Sequence, residues 1–347
     1  MFHSFIVIVS YVLVSLLFLG SSNKNININI YIYMPGKTRK QVVSMFGIND
    51  CHKPKKNTKR LYEYRIRKIY KRPKSLKKYS KRNFKNIILF PHDLGQTKHG
   101  VEKAPKLLKK YINKKHHKIY DVKNTNDFFI NIHNLYEMNK KVKGPKINIG
   151  GDHSMSIATI ADTMNRYPNA KVIYFDAHAD INTYASSNSK HYHGMPLSFI
   201  TGIDNDSKFT FIKNKLKLEN LLYIGGRCWD IFERDLIYKH NIKHIDPPEL
   251  NNDFENAMNK ILTFAGTSPI HISFDVDSMD NSLVPSTGTA VKGGIKMDIG
   301  KEVLKQIKDY TNVVNIDITE LNIDLGTHKE AEKSLKNTDK LFEPFLS

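Results

Sequence analysis

The chain of 347 residues is 40% hydrophobic and 25% charged, which is enough for one large domain or two ordinary ones. Its two cysteines exclude a scaffold held by several disulfides. The net charge of +20 would suit nucleic-acid binding, but residues 53–85 hold eleven Lys and five Arg against one Glu, which leaves +5 for the other 314 residues. The basic character therefore belongs to one segment.

Residues 1–33 are predicted to be an apolar and then biased N-terminal segment. Phe5–Leu19 is apolar except for two serines, which is typical of a signal-peptide core and too short to span a bilayer comfortably. The residues before it lack Lys and Arg, so a start site set too far upstream is the alternative. We expect a cytoplasmic protein without a stable membrane span, with secretion or organelle targeting as the alternative location.

Residues 34–85 are predicted to be a basic, flexible extension. The run Lys53–Lys85 has four tyrosines among its charges, which are side chains on which bases could stack. A contact with RNA or another anionic surface is therefore one interpretation. The preferred interpretation is a solvated arm, because a run this charged has little apolar surface to bury.

From Asn86 the pattern alternates between strands and helices. Ile87–Phe90 is predicted to be the first strand, and apolar residues spaced as in a helix follow from Ala104 to Ile112. Further strands are expected near residues 147, 172, 221, 270 and 313, separated by segments of helix length. This alternation predicts an α/β domain over residues 86–347, with a parallel sheet covered by helices on both faces.

Three of these strands end in the same way, with an apolar run that changes abruptly to acidic and histidine residues. His153 follows a Gly-Gly turn, and Ser154 is the expected N-cap of a helix over Met155–Asn165. Val172–Phe175 precedes three polar side chains that an extended backbone would carry to one side. Pooled, the strand ends offer His153, Asp176, His178, Asp180, Asp275 and Asp277. Two imidazoles and four carboxylates suit two metal ions that share bridging oxygens, since carboxyl ends of parallel strands meet at one edge.

These motifs carry a family resemblance. Gly-Gly-Asp-His-Ser, Asp-Ala-His-Ala-Asp and Ser-Phe-Asp-Val-Asp, in this order, resemble the ureohydrolases, which include arginase, agmatinase and formiminoglutamase. The runs Asp180–Thr183, His193–Phe199, Thr287–Thr289 and Asp317–Asn322 point to the arginases among them. The resemblance extends from about Asn86 to Gly326. It implies a three-layer α/β/α domain with a mostly parallel sheet, assembled as a homotrimer.

The resemblance also implies a reaction, the hydrolysis of L-arginine to L-ornithine and urea. A guanidinium carbon is a poor electrophile and neutral water is a poor nucleophile. Two ions can hold a bridging hydroxide, because metal coordination lowers the pKa of water from about 15.7 towards about 7. Oxygen-rich ligation without thiolate argues against a structural zinc site and suits manganese, which the family uses, so we expect two Mn²⁺ per chain.

The motif matches assign further roles by resemblance. His193 is similar to the proton-shuttling histidine, Glu320 to the acid that pairs with the guanidinium, and Asp180 is counted with them as catalytic. The substrate-binding residues implied by the family are Asn182, Ser189, Asp230, Thr289 and Glu320.

The chain departs from the arginase pattern in two places. Arginases commonly have Ser-Gly-Asn where this chain has Ser189-Lys190-His191, which changes the pocket for the α-carboxylate, where Lys190 or His191 could add a donor. Cys228 replaces an Asp of the common Arg-Asp-x-Asp motif. The alternatives are therefore an agmatinase or another guanidino or formimino hydrolase, and a metal-binding pseudoenzyme whose basic arm binds nucleic acid.

Overall fold

The structure, a computed structural model, describes residues 84–112 and 116–346 and, before residue 84, three strands. The chain divides into two compact units, residues 1–71 and 72–347. In the first unit, β1 (Phe5–Val9) and β3 (Tyr31–Tyr33) each pair antiparallel with β2 (Val12–Leu16). The remainder of the predicted signal-like segment and the basic extension as far as residue 83 lie outside the described residues.

The second unit is built on a parallel sheet of eight strands in the order β5-β4-β6-β11-β10-β7-β8-β9. The strands are β4 (Asn86–Phe90), β5 (Lys118–Asp121), β6 (Lys146–Gly150), β7 (Lys171–Phe175), β8 (Leu221–Ile224), β9 (Lys243–Ile245), β10 (Pro269–Asp275) and β11 (Asn312–Thr319). All six predicted strands are confirmed. The two edge strands, β5 and β9, were not predicted, because partly exposed strands of three or four residues have no continuous apolar run.

Helices cover both faces of the sheet, which confirms the three-layer α/β/α prediction. Tyr174 of β7 packs in one apolar cluster with Ile132 and Ile160. The next residue, Phe175, points to the opposite face, where its ring packs against Phe274, which in turn packs edge-on against Phe342. The helices are α1 (Ala104–Leu108), α2 (Phe128–Lys141), α3 (Ser156–Arg166), α4 (Pro196–Thr201), α5 (Ile231–Lys239), α6 (Pro247–Asn252), α7 (Phe254–Ala265), α8 (Met297–Tyr310) and α9 (His328–Leu346). Among the described residues, none of these helices is long and apolar enough to cross a membrane.

Two local predictions were wrong. Ser154 is not the N-cap of α3; Asp152 instead caps a short 3₁₀ helix, His153–Met155, by accepting a hydrogen bond from the Ser154 backbone N–H at 3.0 Å. The helix predicted as far as Ile112 ends at Leu108. The residues after it form tight turns with i→i−3 hydrogen bonds, which still bury Ile112 and so preserve the apolar spacing.

The sheet order explains where the chemistry collects. Strands β6, β11, β10 and β7 are immediate neighbours, and all four point the same way. Gly150, Thr319, Asp275 and Phe175 therefore end at one edge of the sheet, and the polar residues that follow each strand meet there.

Candidate functional site

The first group of potential metal ligands surrounds the buried imidazole of His153. Its Nδ1 atom lies 2.9 Å from Oδ2 of Asp176, 3.0 Å from Oδ2 of Asp180 and 3.3 Å from Oδ2 of Asp275. Burial alone would lower the pKa of His153, but its close contacts with these three carboxylates raise it well above 6.5. The group thus presents one nitrogen and three oxygens to a common point.

The second group contains His178, Asp277 and the other oxygen of Asp176. Nδ1 of His178 lies 3.0 Å from Oδ2 of Asp277 and 3.4 Å from Oδ1 of Asp176. Asp176 therefore borders both groups, each of which has the geometry to hold one ion. The structure brings all six predicted ligands together around this shared carboxylate.

The backbone after β7 is a turn and not the extended segment expected from the sequence. The strand ends at Phe175, and Oδ1 of Asp176 accepts a hydrogen bond from the backbone N–H of His178 at 2.7 Å. Asp180 has a left-handed backbone with φ of 50°, which is rare for a residue other than glycine. Such strain persists only where the surroundings hold it, and it is common at functional sites.

The donor set fits a pair of divalent cations. Burial, together with the charges of Asp180 and Asp277, raises the pKa of Asp176 to about 7, and burial likewise raises the pKa of Asp275. Within the described residues, Oδ2 of Asp176 is buried and accepts no well-angled hydrogen bond. Buried carboxylates at this density repel one another unless cations lie among them. Oxygen ligands with two imidazoles and no thiolate suit a hard ion.

A cavity of about 310 Å³ opens above the two groups. It brings together the residues predicted to act on substrate or to bind it, namely Asp180, Asn182, Ser189, His193, Asp230, Thr289 and Glu320. His153, His178 and Asp275 also contribute to its wall. The cavity therefore connects the candidate metal centre with a space of small-molecule size.

His193 and Glu320 lie next to each other on the wall of this cavity. Nδ1 of His193 lies 3.1 Å from Oε1 of Glu320, whose own φ of 64° is again left-handed. Burial alone would lower the pKa of His193, but the Glu320 carboxylate raises it to about 9. At neutral pH the imidazole therefore carries a proton beside the carboxylate.

The comparisons with known proteins agree with this geometry. The model of the arginase family matches residues 85–338. This chain belongs to the arginase family. The arginase of Schizosaccharomyces pombe is 31% identical over 294 residues, which cover 75% of this chain and 91% of that relative. The arginase of Glaciozyma antarctica is 40% identical over 190 residues, so that the match spans 52% of this chain and only about half, 55%, of the relative.

Solved structures match the second unit in the same way. The arginase of Bacillus subtilis aligns with a TM-score of 0.68 at 27% identity, covering 76% of this chain and 98% of that one. The arginase of Entamoeba histolytica in complex with L-ornithine aligns with a TM-score of 0.67 at 26% identity, covering 75% and 99%. The arginase-like fold is thereby established.

The far end of the cavity departs from the common arginase pattern at Lys190. This residue has a left-handed backbone with φ of 61° where arginases commonly have glycine. Its ammonium hydrogen-bonds the carbonyl oxygen of Tyr184 and lies 5.2 Å from the centre of the Tyr184 ring, and neither it nor His191 lines the cavity. The ammonium of Lys190 therefore provides no donor to the cavity.

The remaining polar side chains of the site form hydrogen bonds with one another. Nδ2 of Asn182 donates to Oδ2 of Asp230 at 2.9 Å. The hydroxyl of Thr289 instead donates to Oδ2 of Asp277 at 3.0 Å, beside a candidate ligand. Cys228 is exposed at the cavity, and its hydrogen bond with His178 lowers the pKa of the thiol.

Three residues of the site were missed by the sequence interpretation. The Tyr174 hydroxyl donates to Oδ2 of Asp180 at 2.9 Å. Glu233 lines the cavity and accepts hydrogen bonds from two backbone N–H groups, and burial raises its pKa to about 7. Gln96 donates to Oε2 of Glu320 at 2.9 Å. Only Glu233 had a local signal, since Asp230-x-x-Glu233 is a capping box at the start of α5.

Proposed function

We propose that this chain is an arginase that hydrolyses L-arginine to L-ornithine and urea with two manganese ions. The observation that carries the proposal is a carboxylate, Asp176, shared by two ligand groups beneath a cavity with an acid and a histidine on its wall. The relatives named above are arginases, and one of them is known in complex with L-ornithine.

The residues around the cavity would divide the work as follows. The two ligand groups that share Asp176 would hold two divalent ions, which would make hydroxide available at neutral pH by lowering the pKa of water. Glu320 pairs with the planar guanidinium, for which two carboxylate oxygens are well shaped. His193, which holds a proton up to about pH 9, passes a proton to the amine of the departing ornithine. Asn182, Ser189 and Asp230 bind the amino-acid end of the substrate.

The proposal extends to the whole chain. We assign the chemistry to residues 86–347, expect a homotrimer in the cytoplasm, and give the basic extension no part in the reaction. Manganese is the proposed metal because oxygen-rich ligation suits a hard ion, and its low place in the divalent affinity series makes occupancy depend on supply.

The relative kcat/KM for L-arginine and agmatine tests this function. Both substrates have the guanidinium group, but agmatine lacks the α-carboxylate, so a site built to hydrogen-bond that group should prefer arginine by up to about 10⁴-fold. Ser189→Ala should narrow the ratio, whereas Ser282→Ala, on an exposed turn, should leave it unchanged. A kcat/KM for agmatine equal to or above that for arginine would make the chain an agmatinase.

A further inference from the structure

The loop that follows β4 lies against the carboxylate of Glu320. Gln96, which is buried, donates through Nε2 to Oε2 of Glu320 at 2.9 Å. Oε1 of the same carboxylate accepts a hydrogen bond from the His153 backbone N–H at 2.8 Å and faces Nδ1 of His193 at 3.1 Å. Within the described residues, Gln96 is the only hydrogen-bond donor to Oε2, so the orientation of the carboxylate depends on it.

The loop is itself held in place on two sides. The backbone N–H of Gly95 donates to Oδ2 of Asp152 at 2.8 Å, and its carbonyl oxygen accepts from the backbone N–H of His193 at 3.2 Å. A Cβ atom at Gly95 would lie 2.6 Å from Oδ1 of Asp152, so only glycine allows this close approach. The loop thus connects the turn after β6 with the segment that carries His193.

We propose that Gln96 is a positioning residue that holds the Glu320 carboxylate in the orientation needed to meet a guanidinium group. This inference rests on the proposed function, in which Glu320 contacts the substrate. Glu320 has a strained, left-handed backbone, which persists only when its surroundings fix it. Without the amide of Gln96, a buried carboxylate oxygen loses its partner and the carboxylate turns, which misaligns a contact that depends on planar geometry.

Kinetics of two variants with a matched control test the inference. Gln96→Met keeps the length of the side chain without its donor, and Gln96→Glu keeps its shape with a carboxylate in place of the amide. Thr97→Ala changes the next residue of the loop, which is exposed and is the control. For manganese-loaded enzyme we expect both Gln96 variants to raise KM for L-arginine and to lower kcat/KM about 10- to 100-fold, with Glu the worse. Metal content and Tm should match those of the parent.

The other outcomes separate a failure of this inference from a failure of the proposed function. Parental KM and kcat/KM in both variants would overturn the inference, as would a loss of metal content that accounts for the loss of activity. A parent enzyme that binds two ions and yet releases no urea would instead contradict the proposed function. In that case crystal structures of the parent and Gln96→Met decide: we expect the 3.1 Å separation between His193 and Glu320 to change by about 1 Å or more. An unmoved carboxylate would overturn the inference.

Discussion

Asp176 connects the two ligand groups through its two oxygens, one facing His153 and the other facing His178. Burial and the neighbouring carboxylates raise its pKa to about 7, so in the absence of cations it takes up a proton near neutral pH. Metal binding must displace that proton. Metal affinity should therefore rise with pH in the region of neutrality, as it does wherever ligands compete with protons.

Removing one ligand charge from either group should reduce metal content and turnover together. Asp180→Asn weakens the group around His153, and Asp277→Asn weakens the group around His178. We expect each variant to lose at least one ion per chain and about 10-fold or more of its activity, because a neutral amide is a much poorer ligand for a hard cation. Metal analysis and urea assay of one sample measure both quantities.

The control for this prediction is Asp121→Asn, which removes a largely exposed carboxylate on the edge strand β5. It should keep two ions and parental activity. If wild-type protein loaded with manganese retains a single ion, the claim of a dinuclear site is wrong whatever the variants do.

The charge of His193 should depend on Glu320. Because the pKa of His193 is raised from 6.5 to about 9 in the folded chain, its interaction with Glu320 stabilises the fold fully below pH 6.5 and is lost as the pH rises through 9. In Glu320→Gln the burial that lowers the pKa remains, opposed only by the weaker effects of Asp180 and Asp152, so the pKa should fall well below 9. NMR titration of metal-free protein measures it, with Glu219→Gln as an exposed control. A His193 pKa near 9 in Glu320→Gln would contradict this assignment.

At the scale of single residues, the sequence was most informative where a polar residue follows a strand. Asp176, His178 and Asp275 could be predicted as neighbours because parallel strands end at one edge. Gln96 could not be predicted, because its partner Glu320 is 224 residues away and nothing in the local sequence marks the contact.

At the scale of elements, a buried polar network holds the strands beneath the metal centre in register. Asp317 of β11 accepts from Nδ2 of Asn148 on β6 at 2.8 Å and lies 2.9 Å from Nε2 of His271 on β10. The hydroxyl of Thr159, on α3, also donates to it. The Asp317 carboxylate thus connects β6, β10, β11 and α3 beneath the edge of the sheet where the candidate ligands lie.

Asp317→Ala should therefore destabilise the fold strongly. It would leave Nε2 of His271 unpaired, which costs about 1–3 kcal/mol, and would also remove the acceptor that Asn148 and Thr159 share and leave a cavity in the core. We expect a loss of about 3 kcal/mol or more in the free energy of unfolding of metal-free protein, measured in urea. Asp235→Ala, an exposed residue of α5, should change it by less than about 0.5 kcal/mol. Equal stabilities of the two variants would show that the network is dispensable.

Elements with a buried apolar run were predictable, and elements defined by their caps or edges were not. Strand β7 is buried on both faces, and its sequence marks it without ambiguity. Ser154 looked like the cap of α3, but it lies inside a short 3₁₀ helix that Asp152 caps, and the carboxylate of Asp152 also accepts from Gly95, which is distant in sequence. Competition of this kind between local and tertiary partners cannot be resolved from the local pattern.

At the scale of the whole molecule, the described residues that form the candidate site all lie from Gln96 onward. The family match likewise begins at residue 85. Phe84 is buried and its ring packs edge-on against Phe345 at 5.2 Å between centroids, so a shortened chain should keep it. We therefore propose that the catalytic domain begins near the start of β4, within the compact unit of residues 72–347.

A chain that begins at Asn83 should retain metal binding and parental kcat/KM. The basic extension contributes most of the net charge but none of the described ligands, so its removal should change association with anionic surfaces and leave the chemistry intact. Activity and metal content of the shortened and full chains measure this. A folded, metal-loaded short chain without activity would assign the extension to the site or to its assembly.

We propose that this site hydrolyses L-arginine when it holds two metal ions. The most direct measurement is the release of urea and ornithine from L-arginine by the full chain, with manganese counted on the same sample. We predict equal amounts of the two products, activity that rises with occupancy towards two ions per chain, and loss of activity on chelation that manganese restores. Protein that holds two ions per chain and forms neither product from L-arginine would contradict the account.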